Sequence, residues 1–241
     1  MQERHDLLPG SRRKIVQRAD LFSYSMDAVL LGKFATMTKK TNRIIDLCSG
    51  TGAVPLVMSE RTRAAIDAIE IQEALVTMSR KTMAINGLSD QVTIHHGDVS
   101  EAGAVVPWNR FDLVTCNPPY FKVTADTDLD GDDPFVVARH EVHLRLEAMI
   151  GTSKKLLKSK GRLAMVHRPE RTGDIFAALE AQRFQAKRMQ FVHPDRSREA
   201  NMVLIEAVRD GQPGLTVLPP LIVYDETKDF TKEFRDHYVS T

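Results

Sequence analysis

Between residues 43 and 166, short apolar runs rich in β-branched side chains alternate with longer amphipathic stretches. That alternation constrains the fold more than any other feature. Strand, helix, strand in succession is the pattern of an α/β protein built on a parallel sheet. The runs at 43–47, 64–69, 92–95, 111–116 and 162–166 read as core strands. Helices are expected over 53–60, where Pro55 is tolerated in the first turn, over 73–85, closing at Asn86-Gly87, and from about 141 to 158. The pattern then changes. Residues 184–192 and 202–208 are strand-like runs separated by a charged turn, so they read as an antiparallel pair. Residues 14–22 look extended and 26–34 helical, while the tail carries a strand-like piece at 221–224 and a short helix at 231–238. The domain reading is one catalytic unit over 41–241, tail included, with residues 1–40 as an extension or flap packed on it.

A chain of 241 residues fits one sizeable domain plus such appendages. Lys and Arg total 33 against 32 Asp and Glu, so no global field advertises nucleic-acid binding, and any such binding must use a local basic patch. The two cysteines, Cys48 and Cys116, exclude a disulfide-dense scaffold and suggest a reducing compartment. No run of ~20 apolar residues reads as a membrane span, and residues 1–13 are charged and lack an apolar signal core. A cytoplasmic location is therefore expected. His140, Glu141 and His143 do not have the His-Glu-x-x-His spacing, so no metal is expected.

The run Asp46-Leu47-Cys48-Ser49-Gly50-Thr51-Gly52 closes the first core strand and opens the next helix. Glycines at such a turn let backbone and ligand approach closely. Glu70 ends the second strand roughly 20 residues later, where a ribose diol is usually gripped. The full Gly-x-Gly-x-x-Gly is absent, and a glycine-rich turn alone is weak evidence. Asp46, just before the turn, would repel a pyrophosphate. It suits a cofactor with a positive amino group and no phosphate, which describes S-adenosylmethionine better than NAD. Asp98, after the third strand, could accept from an adenine amine or simply cap the next helix. Asp27, at the start of the helix at 26–34, could contact the cofactor from the amino-terminal flap or simply cap that helix.

Asn117-Pro118-Pro119-Tyr120 follows the fourth core strand. An amide, two prolines and an aromatic at a strand end are poor packing material but a good holder for a planar amine. Prolines remove backbone donors and fix φ, which leaves nearby carbonyls free to accept from an –NH2 group. Asn117 adds a side-chain carbonyl, and Tyr120 a flat face on which a base could stack. The bland alternative is a proline-rich turn leaving a strand.

Together, Asp46 to Gly52, Glu70, Asp98 and Asn117 to Tyr120, in that order, resemble the class I S-adenosylmethionine-dependent methyltransferases over about residues 43–208. The resemblance implies a Rossmann-like fold: a mostly parallel seven-stranded sheet with an antiparallel C-terminal strand pair. It places the first and fourth core strands side by side, so that the glycine turn and the Asn117 turn share one crevice. The implied cofactor-binding set is Asp27, Asp46, Cys48, Ser49, Gly50, Gly52, Glu70, Ile71, Asp98, Val99 and Asn117. Cys48 departs from the pattern, since many members have glycine there.

A narrower resemblance rests on residues 22–31, Asn117 to Phe121, Ala138 to Glu141, His167 to Arg171 and His193 to Asn201. These look like the bacterial tRNA adenine-N6 methyltransferases that act next to the anticodon of valine tRNA. This implies tRNA as partner and methyl transfer to an adenine N6 amine, with Asn117, Pro118, Pro119 and Tyr120 at the reaction centre. Phe121, Arg139, Arg168, Arg171, Arg196 and Arg198 are the candidate RNA contacts. The rivals are a glutamine-N5 methyltransferase acting on protein, a guanine-N2 enzyme acting on rRNA, and a module that binds cofactor and RNA without turnover.

Overall fold

The computed structural model describes residues 3–19, 21, 23–120 and 144–238. A hairpin comes first, β1 (Glu3–Leu7) and β2 (Lys14–Arg18), followed by α1 (Met26–Phe34). The alternating region gives β3 (Arg43–Leu47), α2 (Ala53–Ser59), β4 (Ala65–Glu70), α3 (Glu73–Ile85), β5 (Val92–His96) and β6 (Phe111–Cys116). After it come α4 (Leu146–Leu156), β7 (Leu157–His167), α5 (Thr172–Ala181), β8 (Phe184–His193) and β9 (Met202–Arg209). The tail adds β10 (Thr216–Val217), β11 (Leu221–Ile222) and α6 (Lys232–Tyr238).

The larger sheet runs β10-β8-β9-β7-β6-β3-β4-β5, with β11 also on β8, nine strands among the described residues. Seven of them, β3 to β9, are the expected seven. The other two are two-residue pieces of tail laid parallel on β8. Pairings from β5 across to β7 are parallel, and β9 runs antiparallel between β7 and β8. The fold is the Rossmann-like class I arrangement. β3 and β6 are direct neighbours, with Leu47 opposite Cys116.

The strand periodicity of two sorts the sheet's side chains onto two covered faces. Ile44, Ile66, Leu113 and Leu204 face α1, α2, α3 and the tail, whereas Ile45, Val114, Leu163 and Ile205 face α4 and α5. A parallel sheet buried on both faces reads as a continuous apolar run, and each such side chain contributes roughly 1.5–3 kcal/mol. No helix among the described residues is long and apolar enough to cross a membrane.

The N-terminal hairpin lies on α3. The backbone N–H of Val16 donates to Thr82 Oγ1 at 3.0 Å, and Lys14 exchanges hydrogen bonds with the Asn86 amide at 3.1 and 2.7 Å. α1 is tied to the sheet by a buried carboxylate. Glu206, in mid-β9, is fully buried and accepts from Arg162 at 2.8 Å and from the Thr36 N–H at 2.8 Å. Arg188 lies 3.9 Å away, donates to the Phe34 carbonyl at 3.1 Å, and covers the Phe34 ring at 4.5 Å. From the tail, Phe234 and Tyr238 stack at 4.8 Å between centroids and pack on α1.

Several elements differ from the sequence reading. β1 is polar and mostly exposed, so it carries no apolar signal. β7 begins five residues earlier than the reading at 162. It follows α4 without a loop and bends at Lys160, whose φ is 65°, and at Gly161. α4 starts at Leu146, and the expected start near 141 lies outside the described residues. α5 was not anticipated; Pro169 stands just before it and Gly173 in its first turn, and neither residue favours a helix.

Candidate active site

Where β3, β4, β5 and β6 end, a cavity of about 440 Å³ opens, of the size used by small-molecule sites. Asp27, Cys48, Ser49, Gly50, Glu70, Ile71, Asp98, Val99 and Asn117 to Tyr120 all line it. Two expected residues do not. Asp46 sits fully buried beneath the turn, and Gly52 sits behind it. The lining also includes Tyr24, Gln72, Leu75 and Leu144, which carried no chemical signal in the sequence.

The glycine turn is shaped by backbone need. Gly52 has φ 82°, and a Cβ there would meet Ser79 Oγ at 2.3 Å, so only glycine fits. Gly50 has φ 55° and open space where a Cβ would stand, which leaves its backbone accessible from the cavity. Glu70 organises the turn. Its Oε2 accepts from the Gly50 N–H at 2.8 Å and its Oε1 from the Gln72 N–H at 2.9 Å. Burial raises its pKa while those backbone donors pull it down.

Cys48 explains its own departure from the glycine pattern. Its φ of 55° is left-handed, a region that glycine occupies freely and other residues strain to reach. Cys48→Gly is therefore expected to change stability by no more than about 1 kcal/mol. Cys48→Val, branched at Cβ, should cost about 2 kcal/mol. Urea unfolding of both variants checks this, and equal costs would contradict it.

Asp46 accepts from Thr115 Oγ1 at 2.6 Å through Oδ1. Its Oδ2 and the Ser49 hydroxyl are buried near one another and make no well-formed hydrogen bond, a polar floor fit for a cationic group arriving from the cavity. Burial raises the Asp46 pKa to about 7, against the Thr115 bond and the nearby Ser49 hydroxyl and assisted by the Glu70 charge. A carboxyl with a raised folded pKa binds more protons folded than unfolded, so it erodes stability as pH rises from about 4 to about 7. Asp46→Asn should gain stability over the wild type across that window and hold the gain above it. A difference independent of pH, measured by urea unfolding, would refute the titration.

Asp98 fulfils its capping reading. Its Oδ1 accepts from the Ser100 N–H and hydroxyl, both at 2.7 Å, which caps the 3-10 turn Val99–Ala104, and the residue still lines the cavity. Asp27 begins α1. Its Oδ2 contacts the Tyr120 hydroxyl, which also lies 2.5 Å from Asn117 Oδ1. The Tyr120 ring meets His167, with centroids 5.3 Å apart and planes tilted by 52°. His167 accepts from the Arg168 N–H through Nδ1 at 2.8 Å, so Nε2 carries the proton. Burial, then Arg171 and Arg168, lower its pKa to about 4. His167 is thus a neutral wall behind Tyr120. Its place in a basic, proline-containing motif hid that role.

The candidate RNA contacts divide. Phe121 and Arg139 lie outside the described residues. Arg168 lines the cavity and donates to the Asn201 carbonyl at 2.9 Å, while Arg196 and Arg198 are exposed in the nearby turn between β8 and β9. Arg171 does not belong on an exposed rim. It is buried, donates to Asp174 at 2.8 Å, and donates to the Tyr120 carbonyl at 3.3 Å. Its charge steadies the Asn117 turn instead of facing solvent.

Among the lining residues the charged ones are Asp27, Glu70, Asp98 and Arg168. Three carboxylates, with Asp46 beneath, disfavour a diphosphate and suit ribose hydroxyls, an adenine amine and an ammonium group.

Comparison with known proteins agrees with this geometry. A relative from Porphyromonas gingivalis W83, named a tRNA1(Val) (adenine(37)-N6)-methyltransferase, is 30% identical over 75% of this chain and 72% of its own. One of the same name from Vibrio campbellii is 27% identical over 89% of this chain and 88% of its own. A solved structure of a predicted O-methyltransferase from Agrobacterium tumefaciens superposes with a TM-score of 0.70 at 22% identity, covering 89% of this chain and 98% of that one. The family model described as the methyltransferase small domain matches residues 13–187. With its glycine turn, acidic cradle and Asn117 turn in one crevice, the chain belongs to the methyltransferase small domain family.

Proposed function

We propose that this protein transfers a methyl group from S-adenosylmethionine to the exocyclic N6 amine of an adenine in tRNA. The observation that carries the reading is the position of Asn117-Pro118-Pro119-Tyr120 on the same cavity as the acidic cradle. Asp46, Ser49 and Gly50 would hold the amino-acid end of the cofactor, Glu70 the ribose, and Asp98, Ile71 and Val99 the adenine. When bound, the cofactor supplies a methyl group already activated on a sulfonium, so no strong base is needed.

The chain's own residues do the rest. An exocyclic amine is a poor nucleophile because its lone pair is delocalised into the ring. The Asn117 side-chain oxygen and the Pro118 carbonyl accept its two hydrogens, which turns the lone pair outward and stabilises the positive charge that develops on nitrogen. Fixing the amine in line with the methyl group supplies much of the acceleration. The proton leaves nitrogen for solvent water after transfer. Tyr120, braced by His167, presents its ring to a base withdrawn from its loop. Arg168, Arg196 and Arg198 form the local basic patch available to the RNA backbone. The names of the two curated relatives support adenine N6 as the target.

The test is labelled methyl transfer to bulk tRNA followed by nucleoside analysis. N6-methyladenosine is the expected product. Label on protein, on guanine or nowhere would overturn the reading.

A further inference from the structure

The Tyr120 hydroxyl has one proton and faces two acceptors. Its oxygen lies 2.5 Å from Asn117 Oδ1 and closer still to Asp27 Oδ2. A phenol donates once. Hydrogen bonds to a charged acceptor are roughly twice as strong as neutral ones, so the proton goes to the Asp27 carboxylate. The phenol oxygen then offers Asn117 only lone pairs. Two acceptor oxygens at that distance repel, whereas an –NH2 group there would donate. The two ends of a side-chain amide interchange by a half-turn of its terminal bond. That half-turn sets Nδ2 against Tyr120 and sends Oδ1 into the cavity.

We infer that Asp27 is a positioning residue for methyl transfer: acting through the Tyr120 hydroxyl, it fixes the Asn117 amide with Oδ1 facing the substrate amine. The inference rests on the proposed reading that the cavity receives an amine. Asp27 is itself well anchored. Its Oδ1 accepts from the Ser25 hydroxyl and from the Ala28 N–H at 3.1 Å, and the residue is buried. Tyr120 is steadied by Arg171 on its carbonyl and by His167 on its ring. The free variables left are the hydroxyl proton and the amide rotamer, and Asp27 sets both. Without Asp27, the Tyr120 proton passes to Asn117 Oδ1 and occupies the atom that the amine needs.

Two readouts decide it. The first uses protein with S-adenosylmethionine bound and 15N in the Asn117 side chain, and it needs no RNA. One Nδ2 proton should be protected from solvent exchange by the Tyr120 oxygen, and Asp27→Ala and Tyr120→Phe should each abolish that protection. The second is a double-mutant cycle on kcat. Asp27→Ala should lower kcat about 10-fold, the strength of one competing neutral hydrogen bond. Tyr120→Phe keeps the ring, removes the competing proton and should lose less. The double variant should recover to the level of Tyr120→Phe alone, which a merely structural Asp27 would not allow. Asp27→Asn keeps an acceptor for the Ser25 hydroxyl and the Ala28 N–H should the alanine variant fail to fold, and it should likewise lose kcat and be rescued by Tyr120→Phe.

Cofactor Kd should stay within about twofold throughout. An unprotected Asn117 amide in the wild type, losses that multiply, or a raised cofactor Kd would each overturn the inference, the last by making Asp27 a cofactor ligand. A wild type inactive on tRNA adenine that still shows the protected amide would refute the substrate reading and leave this one standing.

Discussion

Replacing Asn117 with alanine should lower kcat by about 1,000-fold or more while leaving cofactor affinity nearly intact. Deleting one preorganised group that stabilises developing charge costs 10²–10³-fold in other enzymes. In the proposed reaction the same group also turns the amine lone pair toward the methyl, so two contributions go at once. The Asn117 side chain lines the cavity beside Tyr120, just past the end of β6, whereas Glu70, proposed to hold the ribose, ends β4. Single-turnover methyl transfer with saturating cofactor measures the first effect, and equilibrium dialysis of labelled cofactor the second. A rise in cofactor Kd beyond about tenfold would mean that Asn117 shapes the cofactor site and that the amine is held elsewhere.

The largest loss of stability should come from a residue far from the chemistry. Glu206→Ala is expected to cost about 3 kcal/mol. Breaking a buried ion pair from one side typically costs 3–5 kcal/mol. The lower end applies because Arg162 and Arg188 are each one-third exposed and can recover some hydration. The Thr36 N–H loses its acceptor as well. For a chain of this size the melting temperature should fall by roughly 6–12 °C. Glu206→Gln keeps an acceptor for Thr36 and should lose less. A fall below ~2 °C for the alanine variant would show that the two arginines find other partners at no cost.

The parts of the fold that were legible in the sequence were those where one physical signal ruled. β3, β4 and β6 are buried on both faces, so their apolar runs are continuous. α3 matched residue for residue, because its amphipathic pattern ends at Asn86 and Gly87, where φ is 66°. The hairpin strand Glu3–Leu7 and the helix Thr172–Ala181 escaped, one for want of apolar residues and the other behind Pro169 and Gly173. In the site, residue types gave the chemistry: carboxylates, glycines, and the amide with its prolines. The contacts between segments were not legible. Asp27 and Tyr120 are 93 residues apart in sequence, and no local pattern encodes their meeting. Nor could charge alone show that Arg171 turns inward to Tyr120 while Arg168 reaches the cavity.

Helix α1, which carries Asp27, rests partly on Phe234 and Tyr238 of α6. These two helices come from opposite ends of the sequence, and a chain leaves the ribosome in order. The α/β centre can gather as its strands emerge, but α1 lacks part of its support until the last helix appears. A nascent chain stalled before residue 232 would therefore hold every described strand of the sheet and an α1 still short of part of its support.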